Sequence, residues 1–304
     1  MRIQLVCPAA EDSAHLRSLA AATLARLTPD DVELSLVDDI VRKIDPAKDI
    51  DGGADLAAIT VSTKTAERAH ELAAAYRQRG VKVVMGGIHP TAMPEEALEH
   101  GDAVVIGEAE GLWEQVVADA REGHLRPVYL HTGWPGFRTA PWPKRTVFTS
   151  HGYAPIHTVQ ASRGCPFLCE FCSVAPFFDR PPRLRDPADV AREIESLGRG
   201  LVMFADDNIL GHGEHSRALV RALRPLKRRW IGQASLQGMQ NQETLRLMAA
   251  SGCHAVLVGF ESVDRATLLA CGKPQNSPQE YLDTVRRLHD HGIAVWAAFV
   301  FGFD

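Results

Sequence analysis

Short apolar runs of strand length alternate with amphipathic helical patterns along the chain, and this alternation constrains the fold more than any other feature. A strand that leads into a helix and then another strand returns by a crossover. Such strands pair in parallel, and helices cover the sheet. In the first part of the chain, strand-like runs fall at Ile3–Val6, Leu34–Val37, Leu56–Val61, Val81–Met85 and Ala103–Ile106. Helical patterns lie between them: one with Leu16, Leu19, Ala20, Leu24 and Leu27 on a face, one over Ala66–Arg79, and one over Glu108–Arg121. Gly80 and Gly123 stand where helix C-caps are expected. The pattern predicts an α/β protein whose first domain, residues 1–132, is a doubly wound, Rossmann-like sheet.

Residues 133–150 read as a linker, because Gly133, Pro135, Gly136, Pro141 and Pro143 interrupt regular structure. The alternation resumes in the second domain, residues 151–304. Strand-like runs occur there at Ile156–Ser162, Gly200–Ala205, Trp230–Ser235, Ala255–Gly259 and Ala294–Phe301. One helix begins at Asp186, an N-cap followed by Pro187, with Val190, Ile194 and Leu197 on one face. Another begins at Ser277-Pro278 and carries Tyr281, Leu282, Val285 and Leu288. Five strand–helix units in sequence predict part of a β/α barrel, with functional groups at the carboxyl ends of the strands. An eight-unit barrel takes roughly 250 residues and a six-unit one about 190. Residues 156–304 fall short of that, so the sequence is expected to be a fragment or a product cut short, with the barrel incomplete at its C-terminus.

Composition narrows the function classes. The 304 residues carry a formal net charge of −5 without a basic stripe, which argues against a nucleic-acid surface. No apolar run approaches the roughly 20 residues that span a bilayer. The opening Met1–Val6 reads as a strand and not as a signal peptide, so a cytoplasmic protein is expected. Of six cysteines, Cys165, Cys169 and Cys172 sit within eight residues, whereas Cys7, Cys253 and Cys271 are scattered. That distribution points to metal chemistry and not to a disulfide scaffold.

The cysteine trio occupies Ser162-Arg163-Gly164-Cys165-Pro166-Phe167-Leu168-Cys169-Glu170-Phe171-Cys172, directly after a predicted strand. Gly164 and Pro166 favour a bent loop over a helix. Thiolates are soft ligands suited to iron–sulfur clusters or zinc. A cubane cluster normally takes four cysteines, so three leave one iron open for catalysis. A structural zinc site would need a fourth ligand, for which His151 or His157 is the nearest candidate.

The C-x3-C-x2-C spacing after a strand, inside a β/α barrel pattern, resembles the radical S-adenosylmethionine superfamily. The resemblance implies a 4Fe–4S cluster on Cys165, Cys169 and Cys172 whose open iron chelates S-adenosylmethionine. Reductive cleavage would then give methionine and a hydrogen-abstracting 5′-deoxyadenosyl radical. It also implies roles for residues at the other strand ends. The backbone at Phe171 would approach adenine, and Asp206 and Asp207 would bind the ammonium group, a turn or helix cap being the competing reading. Ser235 and Gln237 would contact ribose or carboxylate, or form an ordinary polar loop. Glu261 would hydrogen-bond the ribose hydroxyls, and Gly302, in Val300-Phe301-Gly302, would pack on adenine unless that segment is simply core.

A doubly wound domain ahead of such a barrel is similar to the cobalamin-binding branch of the superfamily, and the closest likeness is to hopanoid-methylase-like members. Met85-Gly86-Gly87-Ile88-His89-Pro90-Thr91 and Gly107-Glu108-Ala109-Glu110 resemble loops that line cobalamin. On that basis Gly86, Gly87, Gly107 and Glu108 would meet the cofactor, and Ser62 and Thr63 its nucleotide tail. His89 would be a loop residue beside it, or a histidine held locally. The D-x-H-x-x-G motif that supplies a lower cobalt ligand in other methylcobalamin enzymes is absent, as it commonly is in this branch. The classical G-x-G-x-x-G is absent too, which argues against NAD.

The expectation is therefore a methyltransferase acting on an unactivated carbon, using the cluster, S-adenosylmethionine and cobalamin. Its partners would be a small-molecule or lipid substrate and an electron donor such as flavodoxin or ferredoxin. A cyclase or rearrangement enzyme with the same cofactors, or a catalytically inactive fragment, are the alternatives.

Overall fold

The computed structural model describes the chain except for Asp51, Thr132, Thr139, Asp179, Arg180 and Asp304. The last residue of the expected first domain, Thr132, the linker residue Thr139 and Asp304 lie outside the described residues. The chain forms two compact units: Met1–Pro135 with Pro141–Ala154, and Gly136–Ala140 with Pro155–Asp304.

The first unit is built on β1 (Arg2–Cys7), β2 (Glu33–Asp38), β3 (Leu56–Thr60), β4 (Lys82–Gly86), β5 (Ala103–Ile106) and β6 (Val128–Leu130). All pair in parallel in the order β2-β1-β3-β4-β5-β6. Its helices are α1 (Leu19–Leu27), α2 (Ala66–Gln78), α3 (Ile88–Ala92), α4 (Pro94–His100) and α5 (Trp113–Arg121). Successive strand residues point to opposite faces, and both faces are buried. Val83 and Met85 pack into one core with Leu72 and Tyr76 of α2. Val84, between them, packs into the other with Leu24 of α1 and Trp113 of α5. The expected doubly wound sheet is thus present.

The element bounds move for local reasons. Helix α1 begins only after Ser18, whose hydroxyl accepts from the Ala21 amide. The helix expected from Glu108 begins at Trp113, because Gly107 and Gly111 both take positive φ (85° and 81°) and hold that stretch in turns. Strand β6 has no counterpart in the sequence expectation. It has three residues, two of them exposed, too few to show a period.

The second unit contains β7 (Ile156–Val159), β8 (Ser162–Arg163), β9 (Arg183–Leu184), β10 (Leu201–Phe204), β11 (Trp230–Gln233), β12 (Cys253–Glu261) and β13 (Ala294–Phe299). Between them run α6 (Val174–Phe178), α7 (Pro187–Ser196), α8 (Glu214–Leu223), α9 (Gln242–Ala250), α10 (Arg265–Ala270) and α11 (Tyr281–Asp290). The main sheet is parallel in the order β7-β10-β11-β12-β13, which is also their order in the chain. Uninterrupted order is the mark of β/α barrel winding, in contrast to the reversal at β1 in the first unit. Its core gathers Val159, Val202, Phe204, Trp230, Val256 and Val258 from the strands and Ile194, Leu219, Leu245 and Leu288 from the helices.

Strand β7 stops at Val159, short of the expected Ser162. The Ala161 amide turns to the Asp206 carboxylate, and Ser162–Arg163 pairs instead, antiparallel, with β9. Helix α7 is capped as expected, Asp186 Oδ1 accepting from the Ala188 amide at 2.8 Å. Among the described residues, no helix is long and apolar enough to cross a membrane.

Candidate active site

The carboxyl ends of the second unit's strands surround a pocket of about 290 Å³. Cys165, Cys169 and Cys172 all line it, each partly buried and none in a disulfide. The loop that carries them is anchored to the barrel at several points. Asp206, fully buried, follows β10 and accepts from the Ala161 amide (3.0 Å) and the Ser162 hydroxyl (2.5 Å). Asp207 Oδ2 accepts from the Gly164 amide at 3.1 Å. The far side of the loop is tied down by the Glu170 amide, which donates to Cys271 O at 3.1 Å.

Two side-chain amides point at the thiols. Asn208 Nδ2 lies 3.8 Å from Cys165 Sγ and also donates to Ser235 Oγ at 3.1 Å. Gln275 Nε2 lies 3.9 Å from Cys169 Sγ. Amide donors on sulfur are among the groups that tune an iron–sulfur cluster. Burial pushes the Cys165 and Cys169 thiols up, and Lys273 opposes it at Cys169. A bound cation would draw those protons off. Three convergent soft donors with no histidine among the pocket residues fit an iron–sulfur cluster better than Cys3His zinc. His157 Nε2 is instead 3.2 Å from Arg199 O.

Opposite the cysteines, Glu261 ends β12 with a φ of 63°, a conformation costly for a residue with a Cβ. Its carboxylate takes the Lys273 ammonium at 2.6 Å, and Lys273 also donates to Gly259 O at 2.9 Å. Both side chains are about nine-tenths buried. A Cβ on Gly259 would come within 2.2 Å of Glu261 Oε1 and 2.8 Å of Lys273 Nζ, so the pair needs glycine there. Asn276 and Tyr281 hold the same strand end by donating to Phe260 O at 3.1 and 2.8 Å.

The structure therefore gathers Cys165, Cys169, Cys172, Phe171, Asp207, Ser235 and Glu261 into one pocket. Asp206 is not among them. It is turned inward against Ser162, where burial pushes its carboxyl up to about 7. Gln237 lines a separate depression with Leu210, Gly211 and Asn241. Gly302, past β13, has no atom within 4 Å of where its Cβ would stand. Lys273, Gln275 and Asn208 went unread as site residues. Asn208 alone had a signal, following the two aspartates, whereas the turn after α10 has no motif.

In the first unit, the chain reverses direction across the sheet between β1 and β3, and the carboxyl edge beside such a reversal is where doubly wound sheets hold ligands. Ser62 and Thr63 stand exposed just past β3 at that edge. Gly87 follows β4 with a φ of 116°, and a Cβ there would lie 2.6 Å from Val61 O. Thr91 joins this turn to the next: its hydroxyl donates to Gly87 O (2.7 Å) and accepts from the Gly107 amide (2.9 Å). Glycine at Gly86, Gly87 and Gly107 keeps the backbone of this edge low, with the Trp134 ring beside Gly107 and Ile88 exposed next to Gly87, an edge suited to a broad ligand. Glu108 is buried, and His89, also buried, faces α2 and α4.

Comparison with known proteins agrees with both halves. Residues 159–304 match the family model of the radical SAM superfamily, and residues 12–117 match that of the B12 binding domain. The bacteriochlorophyllide d C-12(1)-methyltransferase of Chlorobaculum tepidum is 32% identical over 262 residues, covering 83% of this chain and 58% of that protein. The hopanoid C-2 methylase of Rhodopseudomonas palustris is 28% identical over 236 residues, covering 73% of this chain and 44% of the methylase. The structure of the radical S-adenosylmethionine methyltransferase TsrM from Kitasatospora setae, with cobalamin and a 4Fe–4S cluster bound, superposes with a TM-score of 0.76 at 17% identity. That match covers 99% of this chain and 67% of that one. The chain spans about half the length of the curated relatives it matches.

Proposed function

Because this chain belongs to the radical S-adenosylmethionine superfamily, in the branch with a B12-binding domain, we propose that it serves in a cobalamin-dependent methyltransferase acting on an unactivated carbon of a small molecule. The observation that carries the reading is the convergence of three partly buried cysteines on a pocket whose other walls present Asp207 and Glu261. Cys165, Cys169 and Cys172 would hold the cluster, and the glycine-lined edge at Gly86, Gly87 and Gly107 would hold cobalamin, with Ser62 and Thr63 toward its nucleotide. When bound, the reduced cluster supplies the electron that cleaves S-adenosylmethionine, and cobalamin supplies the methyl group.

The chain's own groups bind and orient. Asp207, whose carboxyl burial pushes up, offers an acceptor for the ligand's ammonium. Glu261, neutralised on one oxygen by Lys273, keeps acceptor capacity for ribose hydroxyls, and Ser235 adds a hydroxyl to the same pocket. Asp206 acts one layer behind, holding the start of the cysteine loop. Phe171, partly exposed beside the third cysteine, gives an apolar wall, and Lys273 lies 5.9 Å from its ring centre. The cluster held there would be reduced by a low-potential donor of the flavodoxin or ferredoxin kind.

The test is anaerobic cluster reconstitution, then incubation with S-adenosylmethionine, reductant and cobalamin, for the wild type and Cys169→Ala. Formation of 5′-deoxyadenosine by the wild type alone supports the radical reading. Zinc bound in place of iron overturns it. A product heavier than its substrate by one methylene marks methylation, and one of unchanged carbon count marks cyclisation or rearrangement.

A further inference from the structure

Behind the turn that follows β4, three helices of the first unit bring two imidazoles and a carboxylate together. His70 projects from α2, His89 from α3 and Glu96 from α4. Both Nε2 atoms face the same oxygen: His89 lies 3.4 Å and His70 3.9 Å from Glu96 Oε1. All three candidate ligand atoms fall within 4.8 Å of one another. Ligands on a tetrahedral zinc at about 2.05 Å stand about 3.4 Å apart, so small side-chain rotations would bring the trio to that spacing.

Hydrogen bonding alone leaves this cluster poorly satisfied. The His89–Glu96 contact is long, and His70 Nε2 is buried with no hydrogen-bond partner. An unpaired buried ring nitrogen is costly, and native structures rarely tolerate one without a reason. The neighbouring positions on α2 and α4 include buried alanines, Ala66, Ala69, Ala73 and Ala97. His100 stacks flat on His70 at 3.8 Å and 10°, which fixes the plane of that ring.

We propose that His70, His89 and Glu96 form a binding site for a divalent transition metal of the zinc type, distinct from the cysteine centre. Two imidazoles with one carboxylate exclude calcium and magnesium, which take oxygen ligands, and three protein ligands leave a coordination position for water. A metal there joins α2 to the α3–α4 segment, whose first residues follow Gly86 and Gly87. The site stands on its own geometry and does not depend on what that edge binds.

The test uses the full chain with its iron–sulfur cluster reconstituted, titrated anaerobically with zinc ion alone and followed by calorimetry and by metal analysis against iron. The expected result is one zinc per chain beyond the iron content and a raised melting temperature. His70→Gln and Glu96→Gln should each weaken the affinity at least tenfold. Glu96 is partly exposed, so Glu96→Gln keeps the fold and decides the matter should His70→Gln unfold. A Cys165→Ala/Cys169→Ala/Cys172→Ala variant should retain the zinc. Absence of a bound zinc in the wild type, or equal affinity in the wild type and Glu96→Gln, overturns the proposal.

Discussion

Asp206 and Glu261 show how single residues position this site at a cost to stability. Asp206 is buried with three donor contacts, yet burial outweighs them and its carboxyl titrates near 7. A carboxyl whose folded value is raised favours the fold below its ordinary range, and that advantage is lost as pH climbs through the folded value. The contribution of Asp206 to the urea stability of the cluster-free chain should therefore fall away between about pH 4 and about pH 7, and Asp206→Asn should flatten that loss. Equal slopes in the two proteins would contradict the assignment. Glu261 carries a different cost, its positive φ. Comparing Glu261→Gly with Glu261→Ala removes the carboxylate in both and isolates the backbone. The glycine variant should be the more stable by about 1 kcal/mol in denaturant unfolding, the usual cost of a Cβ in the left-handed region. Neither strain nor burial is visible in a residue's identity, and for that reason the sequence pairs Asp206 with Asp207 although the two face different ways.

At the scale of elements, the loops after parallel strands do the positioning, and each loop is tied to its neighbour by one or two side chains. Thr91 is such a tie, linking the turn after β4 to the turn after β5. Thr91→Val keeps the shape and removes both bonds, so it should cost about 1–2 kcal/mol. Cobalamin affinity, read from the visible spectrum, should fall with it. An unchanged affinity would separate this edge from the cofactor. The start of α7 was legible because Asp186 and Pro187 form a cap signal in the sequence, whereas the cap at Ser18 was not read from it. The start of α5 was not legible, because Gly107 and Gly111 take positive φ, which no periodicity reports. Strand β7 ended early for a tertiary reason, the pull of Asp206 on the Ala161 amide.

For the whole molecule, two parallel sheets of different winding give two separately built carboxyl edges, each a candidate for its own ligand. Cluster reconstitution should raise the melting temperature of the wild type and leave that of the Cys165→Ala/Cys169→Ala/Cys172→Ala variant unchanged. The same variant should bind cobalamin as the wild type does, which equilibrium dialysis would measure. The sequence by itself determined the α/β class, the two winding patterns and the cysteine trio, because hydrophobic period and cysteine spacing are local and survive in one dimension. Only the tertiary structure decided which polar residues face the pocket. Asp207 turns toward it and Asp206 away, Gln237 falls outside it, and Lys273 and Gln275 reach it from the turn after α10. It also brought His70, His89 and Glu96 to one point from three helices. The physical reason is the same in each case: a side chain's neighbours are set by crossovers and burial between residues far apart in the chain, and spacing along the sequence carries no record of them.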